Sequence, residues 1–182
     1  MIAVVAAVAI GVMSWTLLEY VIHRWGGHHR RFRRTPFGKE HLRHHVEGDY
    51  FAPTGAKVLA SALVGGVILA VAVPLVGAGP GLAYVAGLLG CYGLYEWHHR
   101  RDHTHPGTGW YGRWARRHHF HHHFVDGRAN FGVTSPLWDH VFGTYRTVER
   151  IAVPRRLAMS WLLDPATGEI RAEYTETFAL RG

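Results

Sequence analysis

The 182-residue sequence has one cysteine, Cys91, and two long stretches without a single basic residue. A lone thiol excludes a disulfide framework and a thiolate metal site. Lys and Arg are missing from residues 1–22 and 58–97; all twenty fall in two blocks, eight in 23–57 and twelve in 98–182. The two gaps, "MIAVVAAVAIGVMSWTLLEYVI" and "VLASALVGGVILAVAVPLVGAGPGLAYVAGLLGCYGLYEW", are almost wholly apolar. A bilayer core takes about 20 apolar helical residues. The first gap therefore fits one span, 2–22, and the second fits two, 58–76 and 80–97. The turn between these two is "PLVGAGPG" at 74–81, where Pro and Gly break a helix. The N-terminal segment also lacks a basic n-region and a small-residue cleavage site, so it is expected to stay as a span rather than leave as a signal peptide.

The net charge of +7 does not ask for nucleic acid, because both basic blocks flank ends of the expected spans. Placing both blocks in the cytoplasm requires three crossings, with Met1 and the uncharged 74–81 turn outside. The expected architecture is an all-α, multi-pass membrane protein in one domain, 1–182. Three transmembrane helices are capped by cytoplasmic helices.

What the chain has in excess is histidine, sixteen in all. "HRWGGH" contains His23 and His28, and "HLRHH" contains His41, His44 and His45. "HRRDH" contains His99 and His103, and "HFHHH" contains His119, His122 and His123. Residues three and four apart share a helical face, so each of the last three clusters is expected to aim its rings at one point. The five-residue gap between His23 and His28 does not fit a straight helix, and Gly26-Gly27 between them lets the backbone loosen. One "HLRHH" alone reads equally well as a solvated basic face. Four such clusters beside span ends point instead to a metal site at the membrane surface. Ten imidazoles suit two ions with about five ligands each; imidazole by itself does not choose among zinc, iron, copper and nickel.

Glu19 lies four residues before His23 and Glu96 three before His99, each the only acid in its apolar segment. A carboxylate there is costly and implies a function; the expected one is to accept the second ring N–H of a metal-bound histidine. His29, His98, His105, His118, His121 and His140 are expected to be exposed or hydrogen-bonded neighbours. "GTGWYGRWARR" (107–117) reads either as an interfacial helix or as a solvated surface helix. No chemistry is legible in 147–182, where "DPATGE" looks like a turn between short strands.

The ordered histidine clusters resemble the histidine boxes of the fatty acid hydroxylase superfamily, which includes fatty acid 2-hydroxylases, sterol desaturases and carotenoid ring hydroxylases. "NFGVTSPLWDHVFGTY" (130–145) is similar to the stretch after the last box in the acyl and sterol members. The resemblance covers roughly residues 15–146. It implies the register of the histidine run: His119, His122 and His123 as ligands rather than His118, His121 and His122. It also implies a non-haem site with two iron ions, replaceable by zinc on purification, that uses O₂ to hydroxylate a lipid C–H bond. A fatty-acyl substrate is favoured, with a sterol desaturase or oxidase or a carotenoid hydroxylase as the alternative within the superfamily. The other class to weigh is a membrane protein that handles metal without redox chemistry. That would need polar groups through the spans, and these are nearly bare. Three departures stand out. Thr104 occupies a position where many 2-hydroxylases have a histidine, only three spans are found where larger relatives have four, and no ferredoxin-like or cytochrome b5-like segment is present. Electrons are therefore expected from a separate donor of one of those kinds.

Overall fold

The computed structural model describes residues 1–182, which separate into two compact units. The first comprises residues 1–18 and 52–97. It holds most of helix α1 (Ile2–Val21), helix α3 (Thr54–Val76) and about the first three quarters of helix α4 (Ala78–Thr104). Gly77, at φ 85°, is the single residue between α3 and α4, so the expected turn is tighter than 74–81, and Pro74 and Pro80 are both absorbed into helix ends. Two segments are long and apolar enough to cross a membrane, Ile2–Gly27 and Thr54–Val76. Only 11% and 6% of their apolar windows are buried. A water-soluble helix of that hydropathy would bury its side chains, whereas these point outward, as lipid contact requires. The third expected span, 80–97, lies within α4, where five glycines and three tyrosines dilute the apolar residues.

Helices α1 and α4 approach through small residues. A Cβ on Gly11 would stand 2.2 Å from the Tyr84 carbonyl oxygen, and one on Gly87 2.4 Å from that of Val8. Any larger residue would force the backbones apart. Trp15 packs on Tyr92 and Tyr95, with ring centroids 4.7 and 5.5 Å away. An apolar groove of about 690 Å³ runs among Ala7, Ile10, Ile68, Val71, Leu75 and Tyr84.

The second unit comprises residues 19–51 and 98–182. After α1 comes one π-helical segment, Ile22–Gly27, then helix α2 (Pro36–Glu47). Thr35 caps α2 by accepting from the Gly38 N–H at 3.1 Å, with Pro36 at the first helical position. The end of α4, helix α5 (Gly109–Phe124) and the short helix α6 (Leu137–Val141) follow. The 107–117 stretch is largely the start of α5. It exposes Trp110 and Tyr111 yet buries Arg116 against Asp102 at 3.1 Å, so neither surface reading describes all of it.

The expectation of an all-α chain is corrected by the C-terminal segment. Strands β1 (Ile151–Pro154) and β2 (Phe178–Arg181) pair in parallel, Ile151 opposite Phe178. Ile151 and Val153 alternate inward, as the two-residue period of a strand requires. They join Phe120, Phe124, Trp161, Leu162 and Phe178 in the apolar core of this unit. The 164–169 turn is present, flanked by a bridge between Leu163 and Ile170. A tail with no legible chemistry thus supplies the apolar bed for α5.

Candidate metal centre

Ten histidines converge in two groups of five, each group able to bring one ring nitrogen per residue within 4.8 Å of the others. The first contains His23, His28, His41, His45 and His122; the second contains His44, His99, His103, His119 and His123. These are the ten singled out above, and His118 and His121 belong to neither group. One expectation is corrected by geometry. The α2 and α5 clusters do not each aim at one point but are divided: His41 and His45 from His44, and His122 from His119 and His123. Adjacent helical residues diverge by about 100°, so each "HH" pair feeds two centres. The ring centroids of His122 and His123 are 6.0 Å apart, while His119 and His123 stand at 4.4 Å.

His23 and His28 reach one centre because the chain between them is π-helical. Its i→i+5 spacing aligns what an α-helix would misalign. Gly27 has a second role: a Cβ there would lie 2.6 Å from the His41 ring, so its absence lets α2 press against the segment.

The rings are held by their other nitrogens. His23 Nδ1 is 2.5 Å from the Phe131 carbonyl oxygen and His122 Nδ1 2.7 Å from that of Ala129. His44 Nδ1 is 2.7 Å from the Tyr50 carbonyl. A carbonyl only accepts, so each of these nitrogens carries the proton and Nε2 presents a lone pair. In the first group Nε2 of His28 lies 2.7 Å from that of His41 and 2.9 Å from that of His122. The buried Nε2 of His23 and both nitrogens of His123 meet no hydrogen-bond donor. Converging lone pairs with too few protons among them are satisfied by a cation. The residues fit metal ions of the imidazole-preferring kind.

Electrostatics favour the ligating, neutral form. Burial pushes His28 down to about 4, helped by the Arg33 charge. Burial, then mutual repulsion, holds His41, His45, His119, His122 and His123 well below the ordinary histidine value. Burial does the same for His103.

The expected roles of two carboxylates are corrected. Glu19 accepts from the backbone N–H groups of Val133 and Thr134 and from the Thr134 hydroxyl, not from a histidine. Glu96 pairs with Lys57 at 2.6 Å. Backbone carbonyls fill the place foreseen for them, since these face the rings directly. Two other acids were missed. Asp139, fully buried, accepts from Phe131 N, Gly132 N and the Thr144 hydroxyl and lies 3.2 Å from His118 Nε2. Burial opposes its charge, but the bonds from His118, Thr144 and Gly132 hold its carboxyl below the ordinary value. Asp102, also fully buried, sits between Arg116 and His98 at 3.1 and 3.2 Å; burial raises its pKa. Each is the sole acid of a long stretch, 97–125 for Asp102 and 127–148 for Asp139. That was the available signal.

A mostly helical chain with two apolar helices fit to span a bilayer and paired five-histidine groups defines a class of histidine-cluster membrane protein. The fatty acid hydroxylase profile matches residues 8–144, and the chain belongs to the fatty acid hydroxylase family. It is 31% identical over 153 residues to the fatty acid 2-hydroxylase of Homo sapiens, covering 74% of this chain and 38% of that protein. It is 30% identical to a dihydroceramide fatty acyl 2-hydroxylase of Arabidopsis thaliana, covering 80% and 62%. A ceramide very long chain fatty acid hydroxylase of Saccharomyces cerevisiae is 32% identical, over 75% and 37%. The chain thus spans well under half the length of the mammalian and yeast relatives. The fold is similar to the solved structure of full-length scs7p, in which only the hydroxylase domain is visible. The TM-score is 0.62 at 28% identity, over 80% of this chain and 56% of that one.

Proposed function

We propose that this chain is an O₂-dependent lipid hydroxylase whose ten grouped histidines hold two iron ions. The observation that carries the reading is the pair of five-histidine groups, whose nitrogens converge and three of whose rings are turned lone pair inward by backbone carbonyls. The substrate we assign is a fatty-acyl chain, free or in a ceramide-type lipid, hydroxylated at carbon 2, as the names of the relatives say of those proteins. The overall reaction balances as RH + O₂ + 2 e⁻ + 2 H⁺ → ROH + H₂O, with the electrons from a separate donor of the ferredoxin or cytochrome b5 kind.

Bound iron would supply O₂ activation and oxidation of the C–H bond. The protein's own part is positional. His23, His28, His41, His45 and His122 would hold one ion, and His44, His99, His103, His119 and His123 the other. Ala129, Phe131 and Tyr50 carbonyls keep three of the rings in one tautomer. Phe131 lies against His23, His28 and His122, with centroids 5.4–5.7 Å away, and Phe51 lies against His44, His99 and His103 at 5.2–5.7 Å. These apolar rings keep water from the nitrogens and leave the imidazoles neutral.

In the membrane we assign three crossings, with both basic blocks and the histidine groups on the cytoplasmic side. The decisive test is lipid profiling of cells with and without the protein, followed by turnover with iron-loaded protein, a reductase system and O₂. A mass gain of one oxygen supports the reading; loss of two hydrogens reassigns the chain to desaturation. Zinc binding with no lipid change would favour metal handling.

A further inference from the structure

Four consecutive backbone N–H groups, residues 131–134, are taken in pairs by two carboxylates. Phe131 N and Gly132 N each donate to Asp139 at 2.8 Å. Val133 N and Thr134 N donate to Glu19, the second at 2.9 Å, and the Thr134 hydroxyl adds a third bond at 2.6 Å. Both carboxylates are buried, where charge-assisted bonds are strongest. Neither accepts from a histidine of the two groups. With the N–H side of this loop tied down, two of its carbonyls, Ala129 and Phe131, meet Nδ1 of His122 and His23.

The residue between those carbonyls is Asn130, the only non-glycine at positive φ, 57°. That conformation is disfavoured for an ordinary L-residue and less so for asparagine. Asn130 is fully buried and is held there by its own amide. Its Nδ2 donates to the Arg146 and His118 carbonyls at 2.9 and 3.3 Å, and its Oδ1 accepts from Arg146 N at 2.8 Å. Two positions on, Gly132 admits no side chain, since a Cβ there would lie 2.1 Å from the Ser135 carbonyl oxygen.

We infer that residues 129–134 form a positioning loop for the first histidine group, in which Asp139 and Glu19 set the tautomer and aim of His122 and His23 through the backbone. This rests on the ten-histidine metal reading. The second group takes its known ring acceptor from elsewhere, Tyr50, so weakening the loop should act on one ion only.

The test is metal binding by the full chain in detergent, titrated with Zn²⁺ and Co²⁺ and counted per chain, independent of turnover. Asp139→Asn and Glu19→Gln should each weaken one of two ions by about 10–100-fold, the range for groups that orient ligands, and leave the other unchanged. Adding His123→Ala, which disables the second group, should then remove the remaining tight ion. Asn130→Gly keeps the backbone conformation while removing its ties, and should give a smaller loss of the same ion with the fold intact. The cobalt spectrum should lose one of two components. Equal loss of both ions would make the loop merely structural and overturn the inference, as would two unweakened ions. A wild-type chain that binds a single ion would overturn the ten-ligand reading itself, and with it this inference.

Discussion

The first histidine group draws on the π-helical segment, α2 and α5; the second draws on α2, α4 and α5. The first has three of five members partly exposed, the second only one. The first is aimed by an irregular loop clamped by two buried acids, while the second is built on the ends of regular helices. α2 and α5 serve both by sending neighbouring residues to different centres. The comparison teaches that ligand count does not distinguish the centres; their supports do. A centre held by helices inherits its geometry from helical periodicity. One held by a loop depends on a few polar contacts that can be broken singly.

The largest effect that would break this comparison comes from the ligands. His122→Ala and His123→Ala should each abolish product, and metal analysis should show one ion lost in each, of opposite groups. Loss of both ions from either variant would mean a single shared centre.

Next is Gly27→Ala. The added Cβ would press on the His41 ring at 2.6 Å, a conflict costing about 1–3 kcal/mol. It should lower affinity for the first ion only, read by competitive zinc titration, and lower the unfolding temperature modestly.

His118→Ala and His121→Ala sharpen the contrast from outside both groups. His118 contacts Asp139 and stacks on Trp114 at 5.0 Å, so its removal should destabilise the fold by about 1–3 kcal/mol while both ions are retained. Although His121 is buried, it makes no such contact with a carboxylate, and its loss should be the milder in thermal unfolding. Metal loss from either variant equal to that of His122→Ala would shift the ligand register by one.

The smallest effect is a topological control. Cysteines introduced at positions 39 and 150 should label from the same side of the membrane with no change in activity. Labelling from opposite sides would remove the three-crossing assignment.

Sequence alone singled out four histidine clusters, three of which repeat the helical face rule, while the choice of His119, His122 and His123 within the 118–123 run came from the family resemblance. It also located the two helices long and apolar enough to cross a bilayer, because bilayer thickness sets a length that composition reveals. The small parallel sheet escaped it: four-residue strands twenty-three residues apart leave no periodic signal. The division of each histidine box between two centres escaped it as well, since a shared helical face says nothing of how many partners stand opposite. So did the work of the carboxylates. Glu19 and Glu96 were read from their distance along the chain to a histidine, yet a buried acid takes whichever donors the fold brings nearest. For Glu19 those donors lie more than a hundred residues away, in a loop whose polar contacts exist only once the chain is folded.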